Sequence, residues 1–272
     1  MLLPRWPMAR DNPPPLALIT GGTSGIGYAI AEKFAQIGYE LIITGRDQER
    51  GQAKAHFLTS TFDIHCEFVA LSNTDWTRYD TFIPLVRSRP LKVVVASAAI
   101  GLQAHLIDTP REEFDKLVQT NVVAPLYLVQ TLASHFHAPA SVILVSSDAS
   151  IEGEQELGAY SVTKSALNMM GRMLALDLAP KGIRVNVVCP GDTLPGMRYL
   201  LRPGEVERSP DDHLTWPVPP RGRLGKAADT AELVAFLVSD RADFIVGSVM
   251  LVDGGSRAGR PDPRAKVQTL QN

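Results

Sequence analysis

The sequence predicts one doubly wound α/β domain, a parallel sheet with helices on both faces in three αβα layers. Three observations lead there. Short apolar runs alternate along the chain with stretches of helical periodicity. The runs are almost continuously apolar, as strands covered on both faces must be. The first of them leads straight into a glycine-rich loop and then a helix. With 272 residues, 45% of them hydrophobic, the chain can bury a full core in a single domain.

Strands are expected at Leu16–Thr20, 40–44, 65–70, 93–98, 141–147, 183–189 and 244–254. Helices are expected at 28–37, 111–136, 160–179 and 227–239, where apolar residues recur at helical spacing. Gly38 marks the end of the first helix. Repeated βα units of this kind indicate a doubly wound sheet. Residues 1–15, rich in proline, read as a flexible arm, and 257–272 as a flexible tail, leaving 16–256 as the domain. The stretch 192–225 breaks the rhythm with Pro195, Pro203, Pro210, Pro217, Pro219 and Pro220. A long irregular segment inside a compact domain reads as a substrate lid.

Composition excludes several classes. A net charge of -2 gives no reason to expect nucleic acid or an anionic membrane as partner. No apolar run reaches the roughly 18–20 residues that span a bilayer, and Pro4 and Pro7 interrupt the start as a signal peptide. Two cysteines, Cys66 and Cys189, make no disulfide framework, so a reducing, cytoplasmic setting is expected. His105 and His213 do not stand at metal-ligand spacing with other donors, and no catalytic metal is expected.

After Thr20 come Gly21, Gly22, Thr23, Ser24, Gly25, Ile26 and Gly27. Glycines allow a tight turn and close backbone approach to a pyrophosphate, and the helix N-terminus then presents free N–H groups to the anion. The order strand, loop, helix is the context that makes the motif a dinucleotide cradle. At the end of the second strand, where an acidic residue would bind the ribose hydroxyls of NAD, stand Gly45 and Arg46. An arginine there accommodates a 2′-phosphate, which favours NADP(H) over NAD(H). The plainer alternative is a solvated arginine beside Asp47.

Tyr160 and Lys164 lie four positions apart at the start of an expected helix, so both side chains share one face. Thirteen positions before Tyr160, Ser147 ends an expected strand. That strand end is the edge where open α/β sheets bind ligands. Together with the glycine cradle, Asn121, Pro190-Gly191 and Val252-Asp253-Gly254-Gly255, these residues resemble the single-domain branch of the short-chain dehydrogenase/reductase family. The resemblance runs from about Leu16 to Gly255 and implies a Rossmann fold.

It also implies roles. Tyr160 exchanges a proton with the substrate oxygen while hydride passes to or from nicotinamide. A phenol ordinarily titrates near pH ~10, so a neighbouring ammonium, Lys164, must favour its ionised form. Lys164 also holds the nicotinamide ribose, Ser147 donates to the substrate oxygen, and Asn121 holds a water that relays protons to Lys164. Gly21, Thr23, Ser24, Gly25, Ile26, Gly27, Arg46 and Ala98 contact the cofactor, and Pro190, Gly191 and Thr193 line the nicotinamide pocket. The expected reaction interconverts a secondary alcohol and a ketone. A catalytically silent dinucleotide sensor, or a dehydratase or epimerase on the same fold, are the alternatives.

Two departures from the family pattern stand out. The usual Asn-Asn-Ala-Gly reads Ala96-Ser97-Ala98-Ala99 here, and the acid usually found near the adenine is missing from 69–73, where Leu71 or Ser72 could replace its contacts. Between Ser147 and Tyr160 lie Asp148, Glu152, Glu154 and Glu156, either a substrate-facing acidic wall that disfavours anions or a solvated loop. The helices 111–136 and 160–179 carry apolar residues on more than one face, and the family pairs these helices. A homotetramer or homodimer is therefore expected.

Overall fold

The computed structural model describes residues 13–195, 199–200 and 218–259. Strand β1 (Leu16–Thr20) is followed by α1 (Gly25–Gln36), β2 (Glu40–Gly45), α2 (Gln48–Phe62) and β3 (Cys66–Ala70). A 3₁₀ turn at Trp76–Thr81 and the short α3 (Phe82–Val86) lead into β4 (Leu91–Ala96). The second half holds β5 (Gly101–Leu102), α4 (Arg111–Val118), α5 (Ala124–Leu132), β6 (Phe136–Val145), α6 (Gly158–Leu178) and β7 (Ile183–Pro190). It closes with β8 (Thr193–Leu194), β9 (Tyr199–Leu200), β10 (Gly225–Lys226), α7 (Ala227–Val238) and β11 (Val249–Val252).

Seven strands form one sheet in the order β11-β7-β6-β4-β1-β2-β3, and every neighbouring pair is parallel. The expected doubly wound αβα domain is what forms. Alternation along each strand divides the core into two layers. Leu16, Leu18 and Val94 point to one face and pack with Leu128 and Leu167. Ala17, Ile19 and Val93 point to the other, against Ile30, Phe34 and Val234. From β1 the chain winds out to β2 and β3, then crosses back to β4 on the other side of β1, which opens a crevice at the carboxyl end of β1.

Three expected elements are corrected and one helix is added. The first helix begins at Gly25, inside the glycine loop, because Ser24 already has the extended backbone of an N-cap. The helix expected over 111–136 is broken by a π-helical turn at Gln119–Val123 and ends at Leu132, while Phe136 already belongs to β6. The strand expected over 244–254 shrinks to Val249–Val252. Helix α2 was not expected, because only Gly51, Ala55 and Leu58 are buried along it and its other faces are polar. It packs so tightly that a Cβ at Gly51 would overlap the Phe68 ring.

Two short parallel ladders sit beyond the main sheet. One pairs β8 with β10, and the other pairs β5 with β9. The first joins the two ends of the proline-rich stretch 192–225, with Gly225 N–H donating to Asp192 O at 2.8 Å. The lid candidates Arg198, Arg202, Arg208, Asp211, Asp212, His213 and Trp216 lie outside the described residues, as do 1–12 and 260–272. On the opposite edge, fully buried Asn186 donates to Ile245 O at 2.8 Å and accepts from Ser248 N–H at 3.0 Å. That amide fixes the approach to β11 and so the position of Asp253. Among the described residues, no helix is long and apolar enough to cross a membrane.

Candidate active site

The loop after β1 is built from close backbone approaches. Thr20 Oγ1 accepts from Ser97 N–H at 3.1 Å and Ala98 N–H at 3.2 Å, tying the tip of β1 to that of β4. Gly21 has φ +66°, and a Cβ there would lie 2.9 Å from Ala98 Cα. A Cβ at Gly27 would collide with the Gly21 carbonyl. Gly25, at φ +51°, faces open space. The loop therefore folds on itself with no side chain between its turns and keeps a clear outer face. The first turn of α1 carries no acidic residue, and the Ser24 hydroxyl makes no capping bond. The helix N-terminus thus offers N–H groups and partial positive charge that no carboxylate neutralises. Thr23 is buried against Gly45, while Ser24 is exposed and Ile26 half-buried.

Arg46 follows at the end of β2 and is exposed. Its neighbour Asp47 is committed elsewhere: Asp47 caps α2, with Oδ1 accepting from Arg50 N–H at 3.0 Å. Beside the Ala96–Ala99 departure the structure brings in residues that sequence reasoning missed. Asn73 Nδ2 donates to Thr120 O at 3.1 Å and lies 3.5 Å from Ala98 O. Tyr79 OH in turn donates to Asn73 O at 2.9 Å. An amide brace from the β3 side therefore stands where Ala96 and Ser97 provide none. Leu71, suggested for the adenine, is instead buried in the core, and the Ser72 hydroxyl is shared with Thr74 at 3.0 Å.

Helix α6 places Tyr160 and Lys164 on one buried face, 4% and 2% exposed. Lys164 Nζ donates to Val145 O at 2.8 Å and lies 5.6 Å from the Tyr160 ring centroid. Ser146 Oγ donates to Lys164 O at 3.0 Å, which pins the helix to the tip of β6. Burial lowers the Lys164 amine to about 8. Ser147 Oγ accepts from Ala149 N–H at 3.2 Å and donates to Asp148 Oδ1 at 3.3 Å.

Asn121 sits in the π-helical turn, and its amide is fully engaged. Oδ1 accepts from Ile100 N–H at 3.0 Å; Nδ2 donates to Ile100 O at 2.9 Å and to Thr163 Oγ1 at 3.1 Å. Thr163 Oγ1 passes the contact on to Tyr160 O at 2.8 Å. The Asn121 side chain therefore has no amide hydrogen left for a water. It braces the turn that carries Tyr160.

Pro190 is buried at the end of β7, and Gly191 N–H donates to Val252 O at 3.1 Å. A Cβ at Gly191 would lie 2.9 Å from Asp253 Cβ. Thr193 Oγ1 donates to Gly191 O at 2.7 Å, so Pro190, Gly191 and Thr193 form one compact turn beside β11. The acidic loop is not simply solvated. Arg257 reaches Asp148, Glu152 and Glu154 together, and Glu156 accepts from Gln103 Nε2 at 3.0 Å. Among the described residues, no group of three or more His, Cys, Asp or Glu could hold a metal ion.

The buried amine yields a stability prediction. Lys164 titrates at about 8 in the fold against its ordinary 10.5. Between those values the unfolded chain holds more protons, so this group makes stability rise with pH there, and its burial is most costly below about pH 8. Lys164→Met should stabilise the free protein at neutral pH by up to about 3 kcal/mol. Roughly 1 kcal/mol of that is offset by the orphaned Val145 carbonyl. Urea unfolding at neutral and alkaline pH reads both effects; a variant less stable at neutral pH contradicts the assignment.

Comparison with known proteins adds the lineage. Residues 21–257 match the family model described as Enoyl-(Acyl carrier protein) reductase. The chain is 32% identical to the NADP-dependent (R)-specific alcohol dehydrogenase of Lentilactobacillus kefiri, over 89% of this chain and 96% of that one. It is 30% identical to the L-2,3-butanediol dehydrogenase of Corynebacterium glutamicum, over 88% and 97%. A short chain dehydrogenase from Burkholderia cenocepacia J2315, solved in complex with NADP, superposes with a TM-score of 0.77 at 28% identity, covering 88% of this chain and 96% of that one. Family model, relatives and sheet topology agree: the chain belongs to the short-chain dehydrogenase/reductase family of oxidoreductases.

Proposed function

We propose that the protein interconverts a secondary alcohol and a ketone with NADP(H), using Tyr160 as the proton carrier. The observation that carries this reading is the Tyr160–Lys164 face of α6, with a buried ammonium 5.6 Å from the phenol ring centroid. Names of relatives agree in kind, an NADP-dependent (R)-specific alcohol dehydrogenase and an L-2,3-butanediol dehydrogenase.

The cradle fits a dinucleotide: Gly21 and Gly27 admit no Cβ, Gly25 leaves the outer face clear, and no carboxylate occupies the first turn of α1. When bound, the nicotinamide supplies or accepts the hydride. Gly21, Thr23, Ser24, Gly25, Ile26 and Gly27 would hold the pyrophosphate, Ala98 the ribose side, and Pro190, Gly191 and Thr193 the nicotinamide end. Arg46 is free to meet a 2′-phosphate, because Asp47 is spent on capping α2.

In reduction, Tyr160 gives its proton to the substrate oxygen; in oxidation it takes the proton back. The Lys164 ammonium stabilises the phenolate left behind, an effect enhanced where water is excluded. Ser147 Oγ turns from Asp148 to donate to the same oxygen, which fixes the carbonyl for transfer. Asn121, through Thr163, holds the first turn of α6 in register.

The assembly we propose is a homo-oligomer. One face of α6 exposes Met169, Met173 and Leu176 at 53, 52 and 70%, an apolar stripe that a second copy would cover. Two free cysteines, Cys66 and Cys189, suit the reducing cytoplasm as its place of work.

Tyr160→Phe is expected to lower turnover at least about a hundredfold while leaving the dissociation constant for NADPH unchanged. Turnover that survives the substitution would remove the proton carrier from the mechanism. Arg46→Ala should weaken NADPH on the order of tenfold or more and NADH hardly at all; equal losses in a binding titration argue against the 2′-phosphate contact. Met173→Glu should shift the species seen by sedimentation velocity to a smaller one. A wild-type monomer by that measure refutes the assembly.

A further inference from the structure

Arg257 lies past the closing Val252-Asp253-Gly254-Gly255 motif, yet its guanidinium is a hub at the substrate side of the site. Nε meets Asp148 Oδ2 at 3.2 Å, Nη1 meets Glu152 Oε2 at 3.1 Å, and Nη2 meets Glu154 Oε2 at 3.0 Å. All three nitrogens of the fork are used, each on a different carboxylate, and the side chain is only 19% exposed. The backbone beneath it is equally fixed. Arg257 N–H donates to Asp253 Oδ2 at 2.7 Å, and Asp253 Oδ1 accepts from Gly255 N–H at 3.0 Å. Asp253 in turn packs against Gly191, where a Cβ would lie 2.9 Å from Asp253 Cβ and 3.4 Å from Asp148 Oδ2.

Asp148 is the link to the chemistry. It is 9% exposed, with Oδ2 on Arg257 and Oδ1 accepting from Ser147 Oγ at 3.3 Å. We propose that Arg257 is a positioning residue that clamps the loop 148–156 and, by sharing Asp148, weakens its hold on the Ser147 hydroxyl so that this hydroxyl can turn to the substrate oxygen. This rests on the reading that Ser147 donates to that oxygen. With Arg257 in place, Asp148 divides its acceptor strength between a cation and a hydroxyl. Without it, Asp148 becomes a buried carboxylate left with the Ser147 hydroxyl and the Ala149 N–H as donors, and Glu154 is left to repel it. Burial already holds the carboxyls of Asp148 and Glu154 above their usual range, and Arg257 is the cation that opposes this. A lysine cannot replace the fork, since one ammonium lacks its fixed three-way geometry.

The test uses the full chain with NADPH and the most rapidly reduced member of a panel of methyl ketones and hydroxyketones. Arg257→Ala should raise KM for the ketone on the order of tenfold, with a smaller loss in kcat and an unchanged NADPH dissociation constant. Arg257→Lys should recover only part of the loss. Adding Asp148→Asn to Arg257→Ala should recover most of it, because the uncompensated charge is then gone. Hydrogen exchange without substrate should show faster exchange across 148–156 in Arg257→Ala and none of that change across 21–27.

An unchanged KM, or unchanged exchange at 148–156, overturns the proposal. So does a KM defect that Asp148→Asn leaves untouched, for the effect is then general loosening. Should Tyr160→Phe keep full turnover, the proposed reaction fails on its own account, and the exchange arm still decides whether Arg257 clamps the loop.

Discussion

The fold keeps an ammonium out of water at the tip of β6, and much of the site is arranged around that constraint. Lys164 is 2% exposed, and burial lowers its amine to about 8. Burying such a group costs free energy unless donors and acceptors surround it. The structure answers with one direct bond, Lys164 Nζ to Val145 O, and with a second, Ser146 Oγ to Lys164 O, that fixes the backbone carrying the amine. Both partners lie at the end of the same central strand. Strand β6 pairs with β7 over Ala140–Val145 and with β4 over Ser141–Leu144, so the acceptor cannot drift. The amine keeps donors to spare, which is what the proposed service to a ribose and a phenolate requires.

Around that amine the site is assembled from carboxyl ends of parallel strands, each delivered by a different stretch of chain. Thr20 ties β1 to β4, Asn73 ties the β3 side to Ala98 and Thr120, and Asn121 ties the π-helical turn to Ile100 and Thr163. These are side-chain-to-backbone bonds across the edge, where the ladder itself has ended and backbone groups would otherwise lack partners. The loss of amides at Ala96 and Ser97 is met by this arrangement. Asn73 reaches the same carbonyl region from the other side of the crevice.

What could be read in the sequence was what is local. The glycine loop, Tyr160 with Lys164, and Ser147 at a strand end depend on spacings of a few residues within one element or one turn. Helical periodicity and strand alternation carry those directly. The Asn121 amide was legible as a position but not as a brace, because its partners Ile100 and Thr163 are 21 and 42 residues away. The π-helical turn went unseen because apolar spacing continues through 111–136, although Pro125, at the start of α5, marks the break that follows it. Helix α2 was missed because it buries so little that its sequence reads as polar chain. Arg257 looked like the start of a tail. Its partner Asp148 is 109 residues away, and only the closing of β11 against β7 brings the two together.

That closing strand gives the sheet edge a second task. Strand β11 is short, four residues, and among the described residues pairs only with β7. Yet the register Val252↔Pro190 sets Asp253 against Gly191, in the compact turn after β7. Asp253 then fixes Arg257, and Arg257 holds the loop that follows Ser147. A buried amide, Asn186, decides where β11 begins, by claiming Ile245 O and Ser248 N–H. Through this chain of contacts a structural residue in β7 and a cation near the end of the domain bear on one hydroxyl. Cation and ammonium also divide the charge of the site. Lys164 faces the phenol from inside the protein, while Arg257 faces the carboxylates from the rim. The two never compete for one acceptor, so the phenol of Tyr160 keeps its own counter-charge whatever the acidic loop does.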